Sequence, residues 1–311
     1  MSVIHIYGTI RWSIIQFINR LASQTIADEG SGLNSCTREI TRYQFELDGR
    51  KGIIFDTPGF DDTYKSDAEV LEEIAKYLES TYVDLPRWLS FANEGGNSYR
   101  DEFKLTAILY LHDIRELRVK GSQMRTIGFF HKLCGKDSLK NVVIVTTKWD
   151  SEEQSTAEAR EKQLFKEHLN VILASHARTA RHGNTTESAE AIIRGILDNE
   201  TTTTKLQYEL VEEEKPLRNT EAGQAVNHDL TKRLQDLERC LTESKELLEK
   251  VQQGQVENAA LKESMQAEHE KLKEEVSTLK SQKEKLEACQ ANNRWKDLGV
   301  KLVSSKLSYS S

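Results

Sequence analysis

Long apolar runs, basic clusters and closely spaced cysteines are all missing from this chain. No stretch among its 311 residues approaches the roughly 20 apolar residues that cross a bilayer, so no transmembrane segment is expected. The N-terminus lacks a basic segment leading into a long apolar run, which a secretory signal peptide would show. The balance of 43 basic and 50 acidic residues gives a net charge of −7. Without a Lys/Arg cluster, nonspecific nucleic-acid binding is not expected. The four cysteines, Cys36, Cys134, Cys240 and Cys289, are far apart and lack metal-ligand spacing, as reduced thiols of an intracellular protein would. A soluble cytoplasmic protein is the simplest reading. The eight histidines form no H-E-x-x-H or comparable cluster, and no nucleophile–base arrangement stands out.

Hydrophobic residues make up 37% and charged residues 30%, which is polar for one globule and implies that part of the chain lies outside a core. Up to about residue 200, apolar strand patterns alternate with helical ones. SVIHIY (2–7), LTAILYL (105–111) and NVVIVTT (141–147) read as strands, and TRYQFEL (41–47) and GIIFD (52–56) as a hairpin turned by Asp48-Gly49. Helical spacing is expected over 13–22, 67–80, 122–133, 154–169 and 186–197. That alternation predicts an α/β fold, a mainly parallel sheet with flanking helices, over residues 1–200.

From residue 217 onward there is no proline, and glycine occurs only at 223, 254 and 299. Leu230, Leu234, Leu237, Leu241, Leu248 and Val251, then Leu261, Met265, Leu272, Val276, Leu279 and Leu286, follow coiled-coil seams. The expected organisation is a polar linker at 201–225, a coiled coil at 226–290 and a tail at 291–311. The coiled coil is expected to self-associate or to pair with a helical partner protein.

The most informative stretch is IIFDTPGFDD (53–62). An apolar strand ends at Asp56, and D-x-x-G follows where ligands bind in open α/β sheets. Asp56 there suits a Mg²⁺ ion held through its waters, and Gly59 lets a backbone N–H approach a terminal phosphate. The strand 141–147 ends in Thr147-Lys148-Trp149-Asp150. The Asp150 carboxylate can accept both the ring N–H and the exocyclic amine of guanine, and the Lys148 stem can lie along the base. An adenine site has no use for T-K-W-D, which disfavours a P-loop ATPase or kinase. Thr37, in GLNSCTREI (32–40), is placed to ligate Mg²⁺ and sense the terminal phosphate as a switch threonine.

These residues resemble a family. FIN (17–19), GLNSCT (32–37), DTPGFDDT (56–63), LYLHDI (109–114), LCGKDSLKNVVIVTTKWD (133–150) and ARHGNTTESAEAIIRGIL (180–197) are similar to the G-domain proteins abundant in basidiomycete fungi, related to AIG-like, Toc and septin GTPases. The resemblance implies a P-loop GTPase fold that binds GTP or GDP with Mg²⁺, often followed by a coiled coil. It implies Asp56, Gly59 and Thr37 at the metal and γ-phosphate, with Thr147, Lys148 and Asp150 at guanine. The loop His182-Gly183-Asn184 would flank the base. Phe60 stands where Ras-like enzymes carry a water-orienting glutamine, which implies slow turnover.

Glycine and lysine are missing where they matter most. The family places G-x-T-G-x-G-K-[ST] over residues 8–15, which here read GTIRWSII. Gly8 survives, but Arg11 and Ser13 replace glycines, Ile14 replaces the phosphate-binding lysine and Ile15 the Mg²⁺-binding Ser/Thr. Arg11 carries charge in the wrong place for the lysine's role. Two explanations stand: a pseudo-GTPase kept as a scaffold or weak binder, or a first segment replaced by translated non-coding sequence. The well-kept remaining motifs favour the second. The expected protein is a GTP-binding switch with doubtful hydrolysis; the alternative is a non-catalytic coiled-coil scaffold.

Overall fold

Asp48 and Gly49 both adopt positive φ, 52° and 74°, as the tight turn of a twisted hairpin requires. They join the first antiparallel pair of a six-stranded sheet. The computed structural model describes residues 2–8, 11–22, 40–57, 65–83, 105–116, 121–251 and 259–289. Its strands are Ser2–Gly8 (β1), Thr41–Leu47 (β2), Arg50–Asp56 (β3), Ala107–Asp113 (β4), Val142–Thr147 (β5) and Arg178–Arg181 (β6). They lie in the order β2-β3-β1-β4-β5-β6. Only β2 runs antiparallel to its neighbour; β3, β1, β4, β5 and β6 pair in parallel. This mixed sheet with flanking helices is the arrangement expected of a G domain.

The two-residue period of a strand sends alternate side chains to opposite layers. Ile4 and Ile6 of β1, Leu109 and Leu111 of β4, and Val143 and Val145 of β5 meet Arg11–Leu21 (α1) and Thr186–Arg194 (α6) on one face. Val3, Tyr7, Ile108, Tyr110, Val142 and Ile144 meet Asp67–Val83 (α2) and Gly121–Cys134 (α3) on the other. Gln154–Gln163 (α4) and Asn170–Ala174 (α5), joined by one π turn, precede β6. Between β3 and β4 the chain crosses back over β1. The helices that follow β1 and β4, α1 and α3, therefore lie on opposite faces of the sheet, the arrangement that marks a switch point where such sheets open a crevice.

Residues 201–225 fold onto this domain instead of standing apart as a polar stretch. Thr202 and Leu105 exchange backbone hydrogen bonds of 2.8 Å in both directions. Lys205–Val211 (α7) then buries Leu206 and Leu210 in the core beside α2 and α3. Thr204 caps it, accepting from the Gln207 N–H at 3.2 Å.

Glu221–Lys250 (α8) and Ala259–Ala288 (α9) form an antiparallel hairpin. Lys280 pairs with Glu238 at 2.8 Å, and His269 Nδ1 lies 3.3 Å from Ser244 Oγ. The apolar seam expected to meet another chain meets its own: Leu248 and Val251 of the first stretch and Val276 and Leu279 of the second are all buried. The hairpin also docks on the sheet's helices. Lys132–Glu221 and Arg125–Asp229, each 3.5 Å, set α8 antiparallel to α3. Lys285 reaches Glu69 of α2 at 2.8 Å, and Leu279 and Leu286 enter the core. Among the described residues, no helix is long and apolar enough to cross a membrane.

Gly128, on the exposed side of α3, has nothing within 4 Å of where a Cβ would sit. Gly128→Ala is expected to raise unfolding stability by about 1 kcal/mol through helix propensity, read as a higher urea midpoint at unchanged slope.

Candidate nucleotide-binding site

At the end of β5 the backbone turns sharply. Thr147 is buried, its Oγ1 3.2 Å from the His112 carbonyl and 3.3 Å from Ser13 Oγ. Lys148 adopts the left-handed conformation (φ 65°, ψ 32°), a strained choice for a side-chain-bearing residue and one concentrated at functional sites. It is only 9% exposed, and its ammonium donates to the Gln16 side-chain oxygen of α1. The turn seats the Trp149 indole N–H 3.0 Å from Thr146 Oγ1, beneath the Arg181 guanidinium, 4.1 Å from the ring centre.

Asp150 emerges exposed from this turn. The loop after β6 meets it from the other side: Asn184, also left-handed at φ 57°, donates through Nδ2 to Asp150 Oδ2 at 3.4 Å. Arg20 Nε of α1 donates to Asn184 Oδ1 at 3.2 Å. The His182 backbone N–H extends the β5–β6 ladder, donating to Thr146 O at 2.8 Å. Its ring packs edge-on to Phe17, with Nδ1 2.8 Å from Ser188 Oγ. Burial, reinforced by the nearby Arg20 charge, pushes the His182 pKa down to about 4, so the ring is neutral at pH 7. Ser188 also closes a capping box with Thr185 at the start of α6.

The structure thus gathers Thr147, Lys148, Asp150, His182 and Asn184 at the carboxyl ends of β5 and β6. An exposed carboxylate held from one side can accept two adjacent N–H donors, the edge that guanine presents. Ser13, Gln16, Arg20 and Ser188, which fasten this end to α1 and α6, carry no motif of their own. Their role appears only once the helices are placed.

The phosphate end is different. Gly8 closes β1, as expected, but α1 begins at Arg11, earlier than the expected start at 13, so two residues separate strand from helix. Ile14 and Ile15 are 2% and 5% exposed, packed in the core between α1 and the sheet. A Cβ on Gly8 would meet the Ile14 side chain and the Leu111 carbonyl at 3.2 Å. Asp56 ends β3 nearby, buried and in register with Ile6 of β1. The hydroxyl of Thr57 donates to the Ile6 carbonyl at 2.6 Å. Thr37, Gly59 and Phe60 lie outside the described residues. At the end of β4, the Arg115 guanidinium forks onto buried Asp113, at 2.7 Å from Oδ2 and 3.0 Å from Oδ1.

The residues therefore fit a guanine base and do not fit a phosphate–Mg²⁺ cradle at 8–15. Among the described residues, no group of three or more His, Cys, Asp or Glu is placed to hold a metal ion.

No family model matches the chain, and no curated protein matches it in sequence. Several solved structures can be superposed on it at low sequence identity. A dimerization-deficient mutant of Toc33 from Arabidopsis thaliana is 11% identical with a TM-score of 0.49, over 65% of this chain and 87% of that one. Toc33 in complex with Mg²⁺ and GMPPNP is 13% identical with a TM-score of 0.46, over 63% and 83%. Era in complex with MgGDPNP and a segment of 16S ribosomal RNA is 16% identical with a TM-score of 0.42, over 65% and 59%. Scores below 0.5 at such identities say nothing of what this chain binds.

Proposed function

We propose that this chain is a guanine-nucleotide-binding protein of G-domain architecture, with a base end that works and a phosphate end unsuited to hydrolysis. The observation that carries the reading is the convergence of Thr147, Lys148, Asp150, His182 and Asn184 on one side of the switch crevice. Asp150 takes the paired donors of guanine, and the Lys148 stem lies beside the base. GTP or GDP is the proposed ligand class. Asp56, with Thr37 and Gly59 from the motifs, would face any Mg²⁺ and γ-phosphate. A bound Mg²⁺ would neutralise phosphate charge; this chain's own part is to orient the base. The affiliation with fungal G-domain proteins rests on the sequence motifs alone. The helical hairpin would serve a helical partner or a second copy through its outer surface.

Equilibrium binding of fluorescent GDP, with and without Asp150→Ala, tests this. Loss of two charge-assisted hydrogen bonds is expected to weaken binding by about 100-fold or more. Equal binding by both proteins would instead favour a scaffold that retains the fold and reads no nucleotide. That second reading is motivated by Ile14 and Ile15 in the core.

A further inference from the structure

A loop that wraps a phosphate needs a run of non-helical residues between strand and helix, so that several backbone N–H groups converge on the anion. Here only residues 9 and 10 separate Gly8 from the first helical residue, Arg11. The first turn of α1 occupies the stretch that should form the cradle. In an α-helix the N–H of residue i is taken by the carbonyl of i−4. Ile15, the fifth residue of α1, therefore spends its N–H on Arg11 and has none for a phosphate. The two side chains that should carry an ammonium and a hydroxyl are instead buried hydrocarbon. Ile14 lies close over Gly8, where a β-phosphate would need open backbone.

The base end shows the opposite. Thr147 with Ser13, Lys148 with Gln16, and Asn184 with Arg20 fasten it to the body of α1. The same helix that fills the phosphate end therefore braces the base end. Nothing in this bracing requires a phosphate to be present.

We infer that the site recognises the guanine nucleoside without counting its phosphates, so that guanosine, GMP, GDP and GTP are equivalent ligands. This rests on the guanine reading above and deepens it. Affinity comes from the base edge at Asp150, held from one side by Asn184. Mg²⁺ is not expected to tighten it, because a buried hydrocarbon, Ile15, stands where the loop would supply its hydroxyl ligand, and Asp56 alone among the described residues faces that end. An intracellular nucleotide pool then occupies the site irrespective of its phosphorylation state, so the GTP/GDP ratio is not what the protein reads.

The test is competition of unlabelled guanosine, GMP, GDP, GTP and adenosine against a base-intact, ribose-labelled fluorescent guanosine on the full chain, in Mg²⁺ and in EDTA. The expected result is that the four guanine ligands compete within about threefold of one another, unaffected by EDTA, while adenosine fails. A single recovered charge-assisted phosphate contact is worth about tenfold or more, so the comparison resolves one contact. GTP or GDP binding more than tenfold tighter than guanosine, or tightened by Mg²⁺, overturns this inference and leaves the guanine reading standing. Failure of the labelled guanosine to bind while fluorescent GDP still binds overturns this inference alone; failure of both labelled ligands to bind, or binding unchanged by Asp150→Ala, overturns both. An Ile15→Ser variant supplies the internal contrast: it restores the hydroxyl alone, and with the helical turn still in place it is expected to leave the four ligands equivalent.

Discussion

Lowering the pH from 7 to 5 is expected to remove about 6 kcal/mol of folding stability, an amount comparable to the whole stability of many domains. Three histidines are buried neutral: His5, His112 and His182 are 2%, 4% and 2% exposed. Burial pushes His5 down to about 3 and His112 and His182 down to about 4. Asp113 opposes the shift at His112, and the His168 charge adds to it. In the unfolded chain each titrates near 6.5.

Above pH 6.5 both states are neutral and the histidines cost nothing. Below it the unfolded chain takes up protons that the folded one refuses. Stability then falls at about 1.4 kcal/mol per pH unit for each residue, until the folded values are reached. At pH 5, about 1.5 units below the unfolded value, that is about 2 kcal/mol each. Urea midpoints at pH 7, 6 and 5 measure it directly. His5 provides the control, because its ring sits among Phe55 and Tyr77 at 5.5 and 5.2 Å and its buried Nδ1 has no hydrogen-bond partner among the described residues. His5→Phe keeps the aromatic packing and should remove about a third of the pH slope. Midpoints that stay level from pH 7 to 5 would refute the account.

Gly223→Ala is expected to cost about 3–4 kcal/mol and to loosen the hairpin from the domain. The methyl group would stand 1.9 Å from the Leu217 carbonyl oxygen and 2.9 Å from its carbon, contacts that demand backbone movement. That backbone is committed. The Leu217 carbonyl accepts the Thr220 hydroxyl at 2.7 Å, and Thr220 Oγ1 accepts the Gly223 N–H at 3.0 Å. Thr220, fully buried, is the cap of α8. Glu209 of α7 adds a second cap, taking the Glu221 N–H at 3.0 Å. Moving the Leu217 carbonyl breaks the cap, worth about 1–2 kcal/mol, and strain adds a comparable amount. Gly195→Ala is the matched control: at φ −62° its methyl would meet only the Ile192 and Ala191 carbonyls at 3.4 and 3.5 Å. Thermal unfolding of the two variants separates the cases. Equal midpoints would show that the 217–223 junction yields readily.

The sheet was legible in its apolar runs because four of its strands are buried on both faces. β6 was not, since RTAR is four residues long with three exposed side chains at the sheet edge. It is recognised only through its pairing with Val143–Thr146. Helix α7 was hidden for a related reason: Leu206 and Leu210 provide the helical spacing, but threonines and a run of glutamates surround them. Its buried Glu209 reads as polar until Lys215, 3.1 Å away, and the α8 N-terminus are placed around it. The seams of α8 and α9 were legible as seams, whereas their mutual pairing depends on the chain reversing direction.

The candidate base end was legible because the residue types proposed for it sit in a short motif. The phosphate end was legible as a departure, though not in its consequence. Arg11-Trp12-Ser13 contains no glycine to interrupt a helix, so α1 extends backward into the place of the loop.

The hairpin's direction has a mechanical meaning. Because α8 climbs antiparallel to α3, passing Glu221 and then Asp229, it leaves the domain at the carboxyl ends of the strands. Past Leu237, the last of its residues packed on the core, residues 238–250 continue the helix for about another 20 Å at 1.5 Å per residue. Its base is pinned by Arg233–Asp67 and Lys285–Glu69 to the first turn of α2, the helix that follows the D-T-P-G segment. The hairpin is a cantilever clamped to the first turn of α2: a tilt of α2 by about 10° would sweep its tip through about 3 Å.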